Sequence, residues 1–282
     1  MPDGVSRLTF TFDLEDHRPD AGLPMRYPDI TRRVFESTAR LGVTGTVFVV
    51  GEVAEKSPDL VRDIASLGHE IAFHSFDHVP LEKQTHGKFH KETETGKKLL
   101  EDLTGKAVIG FRAPVFSLTP GSLWALDSLR ELGFDYSSSV LPAKSPLFGF
   151  PAAPKEAFRW PNGLLELPAP VARFGPLVFP YLGGVYLRYL PFGLVKRAVA
   201  RASSRTPLWT YFHPYDFDVG EPFCRIKGAG FLASAILWCN RARTWKKLEA
   251  LFGPARQWEI APPFAEQIRQ GVFAAAPFFR PS

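Results

Sequence analysis

The sequence predicts an α/β fold: a mostly parallel sheet with helices outside it, open or closed into a barrel. Three observations carry that expectation. Over the first two thirds of the 282 residues, short apolar or alternating runs of strand length alternate with segments of helical periodicity. The helical segments begin and end at recognisable signals. Several strand runs also end in a residue able to do chemistry, namely Asp13, His74, Arg112 and His213. Parallel α/β folds place their sites there, beyond the carboxyl ends of the strands.

The elements follow in order. Leu8 to Phe12 alternates with period two and ends at Asp13. Leu8, Phe10 and Phe12 share the face expected toward the helices, and Thr9, Thr11 and Asp13 share the other. Asp29 to Leu41 reads as a helix stopped by Gly42, and Thr46 to Val50 as an apolar strand. Ser57 is expected to cap a helix with Pro58 at its first position, a stripe of Leu60, Val61, Ile64 and Leu67, and Gly68 as its stop. A strand Glu70 to His74, a helix Lys88 to Leu103 and a strand Val108 to Arg112 come next. A helix Gly121 to Leu132, ended by Gly133, precedes a short strand near Tyr136.

From Leu141 to Pro180 the pattern loosens into Pro- and Gly-rich chain holding one strand, Leu164 to Leu167. Val195, Ala198, Val199 and Ala202 mark a helix, and Leu208 to His213 is the last clear strand, with Trp209, Tyr211 and His213 on one face. Helices around Phe231 to Cys239 and Thr244 to Phe252 and a Pro-rich tail complete the chain. No repeat or linker divides it. A single domain over 1–282 is expected, with a helical, Pro-rich C-terminal extension from about residue 228.

With 45% hydrophobic and 22% charged residues the composition is that of a soluble globular protein. A formal charge of +5, scattered as at Lys97-Lys98 beside Glu101-Asp102, forms no nucleic-acid patch. A weak preference for anionic membranes or acidic glycans is compatible with it. Cys224 and Cys239 lack the spacing of a zinc knot or redox pair and read as buried thiols. Met1 to Gly4 shows no secretory signal. Phe174 to Leu187, an uncharged run unmatched in length except by Ala113 to Leu126, is too short for a membrane span and is interrupted by Pro176 and Pro180. A cytoplasmic location is expected, with peripheral contact at the membrane face open.

His74 and His78 lie four residues apart with Ser75 between them. That is about one helical turn, so both can point the same way and share a cation. A third, acidic ligand would complete an open divalent site of the kind that activates water. Alone, the pair is a weak signal. His17 and His69 flank the motifs and read as surface or supporting groups, and His86 and His90 read as a solvated helix face.

Taken together, five segments are specific: Thr11-Phe12-Asp13-Leu14-Glu15-Asp16-His17; His74 to His78 with its Gly68-His69-Glu70 lead-in; Gly110-Phe111-Arg112-Ala113-Pro114; Tyr211 to Asp218; and Gly183-Gly184-Val185-Tyr186-Leu187-Arg188. The first four, running in chain order from residue 11 to residue 218, resemble the polysaccharide deacetylase family, also called NodB-homology or carbohydrate esterase family four. The last segment resembles the branch found with bacterial exopolysaccharide synthesis.

The resemblance implies a distorted (β/α) barrel that removes acetyl groups from N-acetylated sugars with a divalent metal, most often zinc, with cobalt or manganese as alternatives. By position, His74 and His78 would be ligands, Asp13 the general base, Arg112 its partner and His213 the general acid. Either Glu15 or Asp16 can be the acidic ligand; Asp16 is preferred, since a shorter side chain on a turn suits a tightly held ion. Pro114, Phe116, Trp209 and Tyr215 are expected on the substrate side, the rings stacking on sugar faces. Glu166 either reaches the site from its strand end or pairs with a cation structurally.

One departure stands out. Where relatives carry an Asp that helps fix the arginine, this sequence has Ser137, so Arg112 is held less firmly or Asp135 takes over by a shift of the strand. The expected reaction is hydrolysis of the N-acetyl amide of N-acetylhexosamine units in a polysaccharide, oligosaccharide or lipid-linked glycan precursor, releasing acetate. The alternatives are an amide hydrolase of the same fold acting on a small non-sugar amide, and a weakly active or non-catalytic sugar-binding relative.

Overall fold

The first strand organises the sheet, because its whole length after Arg7 is buried. The computed structural model describes residues 5–18, 20, 22–225 and 230–281. Its strands are β1 (Arg7–Leu14), β2 (Gly45–Val49), β3 (Glu70–Phe73), β4 (Gly110–Phe111), β5 (Tyr136–Ser137), β6 (Phe158–Arg159), β7 (Leu165–Glu166), β8 (Val171–Phe174), β9 (Leu177–Pro180), β10 (Leu208–Trp209) and β11 (Glu259–Ala261). Its helices are α1 (Tyr27–Arg40), α2 (Gly51–Lys56), α3 (Pro58–Ser66), α4 (His86–Thr104), α5 (Ala125–Glu131), α6 (Gly184–Tyr189), α7 (Phe192–Ala200), α8 (Pro214–Phe217), α9 (Phe231–Trp238), α10 (Ala242–Phe252) and α11 (Phe264–Arg269).

Nine strands form one sheet in the order β10-β1-β2-β3-β4-β5-β7-β6, with β11 also on β1. Every pairing is parallel except β6 with β7. β1 has β10 along one edge; on the other, β11 pairs its first three residues and β2 those from Phe10 onward. The sheet curls into a half-barrel, as expected of the α/β class. The curl is visible in Arg112: leaving β4, its guanidinium lies 3.8 Å from the Phe48 ring of β2 and 4.2 Å from the Trp209 ring of β10.

Alternation along the strands divides the core in two. Phe10, Phe12, Val47 and Val49 pack outward against the helices, with Phe10 edge-on to Phe35 of α1 and to Phe252 of α10. Phe48, Ala72, Tyr136, Leu165 and Trp209 face the concave side with Phe264. The tail is more than a wrap. The Phe264 backbone N–H donates to Thr46 Oγ1, Ala265 to Glu70 and the Gln267 amide to Thr9 Oγ1, so α11 closes the end of the half-barrel opposite the strand tips.

Several local expectations change. Leu208 to His213 is not the last strand, since β11 follows and pairs with β1. The β8–β9 hairpin and α2 were not foreseen, because Pro and Gly mask the first and its six residues are too few to show periodicity in the second. Ser57 stands at the N-cap of α3 with Pro58 next, but its hydroxyl makes no capping bond and pairs instead with the Tyr27 hydroxyl at 2.8 Å. Neither thiol is buried: Cys224 is half-buried and Cys239 exposed. His69 is buried rather than at the surface, its Nδ1 accepting from the Gly45 N–H, and burial pushes its pKa down to about 4.

Gly45 admits no side chain. A Cβ there would sit 2.1 Å from the Phe10 carbonyl oxygen of the neighbouring strand, and backbone cannot swing away. Gly45→Ala is expected to destabilise the protein by about 1–3 kcal/mol or more. Gly87→Ala, where nothing lies within 4 Å, is expected to leave the urea midpoint unchanged or higher.

Candidate active site

The site forms where four strand ends meet. Asp13 ends the concave row of β1, and its N–H bonds to the Phe212 carbonyl, so the chain after β10 runs beside it. Arg112 follows β4, with its N–H on the Phe73 carbonyl. The guanidinium is fully buried and donates from Nη1 to Asp13 Oδ1 (2.5 Å) and Thr11 Oγ1 (3.0 Å). It also donates from Nε to the Ser138 carbonyl (3.3 Å) and from Nη2 to the Ser138 hydroxyl (3.1 Å). With an aromatic ring on each side, it is fixed in place.

His74 and His78 are neighbours for a different reason than a helical turn. The segment is a tight loop in which Ser75 and His78 adopt φ of 63° and 56°. Its carbonyls at Ser75 and Phe76 accept the first N–H groups of α2, from Gly51 and Glu52. Gly51 is needed there, since a Cβ would lie 2.6 Å from the Phe76 ring. The imidazole centroids end 5.0 Å apart. His74 Nδ1 donates to the Arg112 carbonyl at 2.8 Å, which leaves the Nε2 lone pair free. Burial pushes its pKa down to about 4, so it is neutral at pH 7.

The acid that reaches the histidines is Glu15, which corrects the preference for Asp16. Glu15 is buried and lies 2.5 Å from His78 Nε2. Burial alone would raise its pKa, but the charge and hydrogen bond of His78, with His213 and His74 nearby, hold the carboxyl well below the usual range. Burial likewise opposes a charge on His78, and Glu15 reverses this and raises its pKa. Asp16 turns away: both its oxygens bond to Arg18, at 2.7–2.9 Å. That pair lines a cavity of about 190 Å³ beside His78.

Ligand atoms of Glu15, His74 and His78 lie within 4.8 Å of one another, the one such cluster among the described residues. Two imidazoles and a carboxylate suit a divalent cation, and a neutral His74 with a free Nε2 is already in the binding form. The residues therefore fit the group.

His213 faces this cluster from the chain after β10. Its Nε2 is 3.7 Å from Asp13 Oδ2, and His74 Nε2 is 3.9 Å from the same oxygen. Its Nδ1 and its backbone N–H both donate to Asp216 Oδ2, at 2.8 and 3.0 Å. Burial disfavours a charged imidazole here, yet Asp216, helped by Glu15 and Asp13, more than offsets it and raises the pKa to about 9. Behind Asp216 stands the fully buried Arg188, its Nε 3.4 Å from Oδ1. Arg188 belongs to the Gly183 to Arg188 segment, which is tied to the site by the Gly184 N–H on the Tyr211 carbonyl.

The other expected residues divide. Tyr215 is half-buried and stacks on His213 at 4.7 Å, and Phe116 is half-buried edge-on to Tyr211, so both border the mouth. Val115 and Phe116 adopt φ of 49° and 55°, rare for a β-branched and an aromatic residue, at this same border. Pro114 is buried beneath them. Trp209 is fully buried against Arg112, which corrects its placement as an exposed sugar platform. Glu166 does not reach the mouth: its carboxylate accepts the N–H groups of Ser139 and Val140 and the Trp160 indole N–H, and burial raises its pKa. Asp135 does not replace the missing acid either; it is exposed, 3.7 Å from Arg130. Ser137 bonds to Ser139, while Ser138 is the hydroxyl that holds Arg112.

Three contributors were missed. Asp216 was within reach of the sequence, three residues after His213 in the quoted motif. Phe48 and Ser138 carried no signal, because their roles exist only once distant strands are adjacent.

Comparison with known proteins agrees with this geometry. Residues 3–137 match the polysaccharide deacetylase family, and residues 138–262 match a domain of unknown function, DUF3473. A peptidoglycan-N-acetylglucosamine deacetylase of Bacillus cereus is 30% identical over 103 residues, 36% of this chain and 38% of that protein. A chitooligosaccharide deacetylase of Azorhizobium caulinodans is 29% identical over 89 residues, 31% of this chain and 42% of that one. The chain thus spans less than half the length of these relatives. In overall fold it is similar to a Mycobacterium smegmatis crystal structure provisionally described as a polysaccharide deacetylase. The TM-score is 0.60 and the identity 21%, over 100% of this chain and 96% of that one. Residues 3–137 thus form a polysaccharide deacetylase domain.

Proposed function

We propose that this protein hydrolyses the N-acetyl amide of N-acetylhexosamine units in a glycan, releasing acetate and a free amine. The observation that carries the reading is the convergence of Glu15, His74 and His78 within 4.8 Å, with Asp13 and His213 facing them. Glu15, His74 and His78 would hold a divalent cation; two nitrogens and one oxygen suit zinc, with cobalt or manganese as alternatives. When bound, such a cation lowers the pKa of a ligated water and polarises the amide carbonyl.

The chain's own residues supply the proton transfers. Arg112 holds Oδ1 of Asp13, leaving Oδ2 toward the cluster as the base that takes a proton from water. His213 presents Nε2 on the same side, and with a pKa near 9 it is protonated at pH 7 and able to give that proton to the departing amine. Asp216 fixes its orientation through Nδ1. Tyr215 and Phe116, which border the mouth, would contact the sugar.

Acetate release from N-acetylglucosamine oligomers is the direct assay, run on zinc-loaded protein; no release from any N-acetylated glycan with metal bound would overturn the reading. Glu15→Gln and His74→Ala are expected to abolish tight metal binding, by elemental analysis, together with activity. Asp16→Asn is expected to keep the metal. Asp13→Asn should retain metal and lower kcat by about 10²–10⁴-fold.

The His213–Asp216 pair predicts a pH dependence. A pKa raised in the folded state means that the pair's contribution to stability is complete below the ordinary histidine value of 6.5 and is lost as pH rises through about 9. In metal-free protein, His213 should titrate near 9 by NMR and move back toward 6.5 in Asp216→Asn.

A further inference from the structure

α9 reads Phe-Leu-Ala-Ser-Ala-Ile-Leu-Trp, with no charged residue, yet it lies on the surface. Phe231, Leu232 and Ile236 are 65, 72 and 41% exposed. A helix apolar all round is normally covered by protein or by lipid. The apolar band continues beyond it. The Tyr189 hydroxyl of α6 donates to the Ile236 carbonyl, and Tyr186, also exposed, stacks on Phe179 of β9, next to the 62%-exposed Leu177.

The band reaches the site. Arg241 lies 3.9 Å over the Trp238 ring at the end of α9 and 5.9 Å from the ring of Tyr215, which stacks on His213. The chain on either side of it is basic, unlike the even scatter read from the chain as a whole. Residues 167–215 contain six Arg or Lys and no Asp or Glu, and residues 222–248 again contain six and none. The three acids between the two basic stretches, Asp216, Asp218 and Glu221, are paired with Arg188, Arg26 and Arg241. Arg173, Arg197, Arg201, Arg243 and Lys246 are exposed and form no ion pair among the described residues. Apolar and tyrosine side chains flanked by unpaired cations are complementary to the headgroup boundary of an anionic bilayer.

We propose that α9, α6 and the β8–β9 hairpin form an interfacial seat that rests on an anionic lipid bilayer and holds the mouth of the site beside it. The seat stands on surface chemistry alone. Its consequence, that the N-acetylated glycan is met on a lipid carrier, rests on the deacetylase reading.

The test is sedimentation of the full chain with vesicles of phosphatidylcholine, with and without phosphatidylglycerol, beside sedimentation velocity without lipid. The protein is expected to pellet with the phosphatidylglycerol vesicles, and less so as salt rises. Binding should weaken by about tenfold or more in Leu232→Ser/Ile236→Ser. Acetate release from a soluble oligomer by that variant should match the unsubstituted protein, showing an intact fold. Failure to pellet with either vesicle, equal binding to both, or full binding by the double variant overturns the proposal. So does a dimer that the double variant dissociates without any vesicle binding, which would make the band a contact between copies. Vesicle binding without acetate release strikes only at the catalytic reading.

Discussion

The buried guanidinium of Arg112 is the constraint around which the strand tips are arranged. A charge taken wholly out of water is tolerated only when its donors are satisfied and an opposite charge is close. Here Asp13 of β1 supplies the charge, Thr11 and Ser138 supply acceptors, and Phe48 and Trp209 cover the two faces. Satisfying one side chain therefore requires the ends of β1, β2, β4 and β10 and the chain after β5 to be in register at once. Removing one partner of such a buried pair costs about 3–5 kcal/mol, so the same contacts that aim Asp13 also hold the curl of the sheet.

Electrostatics then separates histidines that are chemically alike. His74 is held neutral by burial, with Nδ1 committed to a carbonyl and pKa near 4, while His213, somewhat less enclosed, is raised to about 9 by Asp216. One imidazole is thereby suited to donate a lone pair and the other a proton, at the same pH and about equally far from one oxygen of Asp13. The two halves of the chain divide this work. Asp13, Glu15, His74, His78 and Arg112 lie in residues 3–137, whereas His213, Asp216 and Arg188 lie in the segment matched by the domain of unknown function. The parallel sheet joins them, since β5 pairs with β7 and β1 with β10.

Ser137 stands where an Asp was expected to fix Arg112, and the structure holds the guanidinium by other means. Ser137 is paired in register with Glu166 on β7, so a buried carboxylate remains one strand away, satisfied by N–H groups of the Ser139 loop. The loop in turn presents the Ser138 hydroxyl and carbonyl to Arg112. Arg112 is consequently well held without a second carboxylate in direct contact.

Patterns local in sequence were legible without coordinates. Period-two alternation in residues 8–13 assigns Asp13 to the concave face, helical stripes give α1, α3 and α4, and the order of the motifs brings Asp13, His74, His78, Arg112 and His213 to the strand ends. What depends on contacts between distant residues was not legible. Glu15 rather than Asp16 meets the histidines because Arg18 captures Asp16. Trp209 is buried because a cation fills the space it faces. His74 and His78 adjoin through a left-handed turn seated on α2, not through helical spacing. The physical reason is one of range: periodicity and capping act within a few residues, whereas burial, ion pairing and pKa are set by whichever groups the fold brings to the same place.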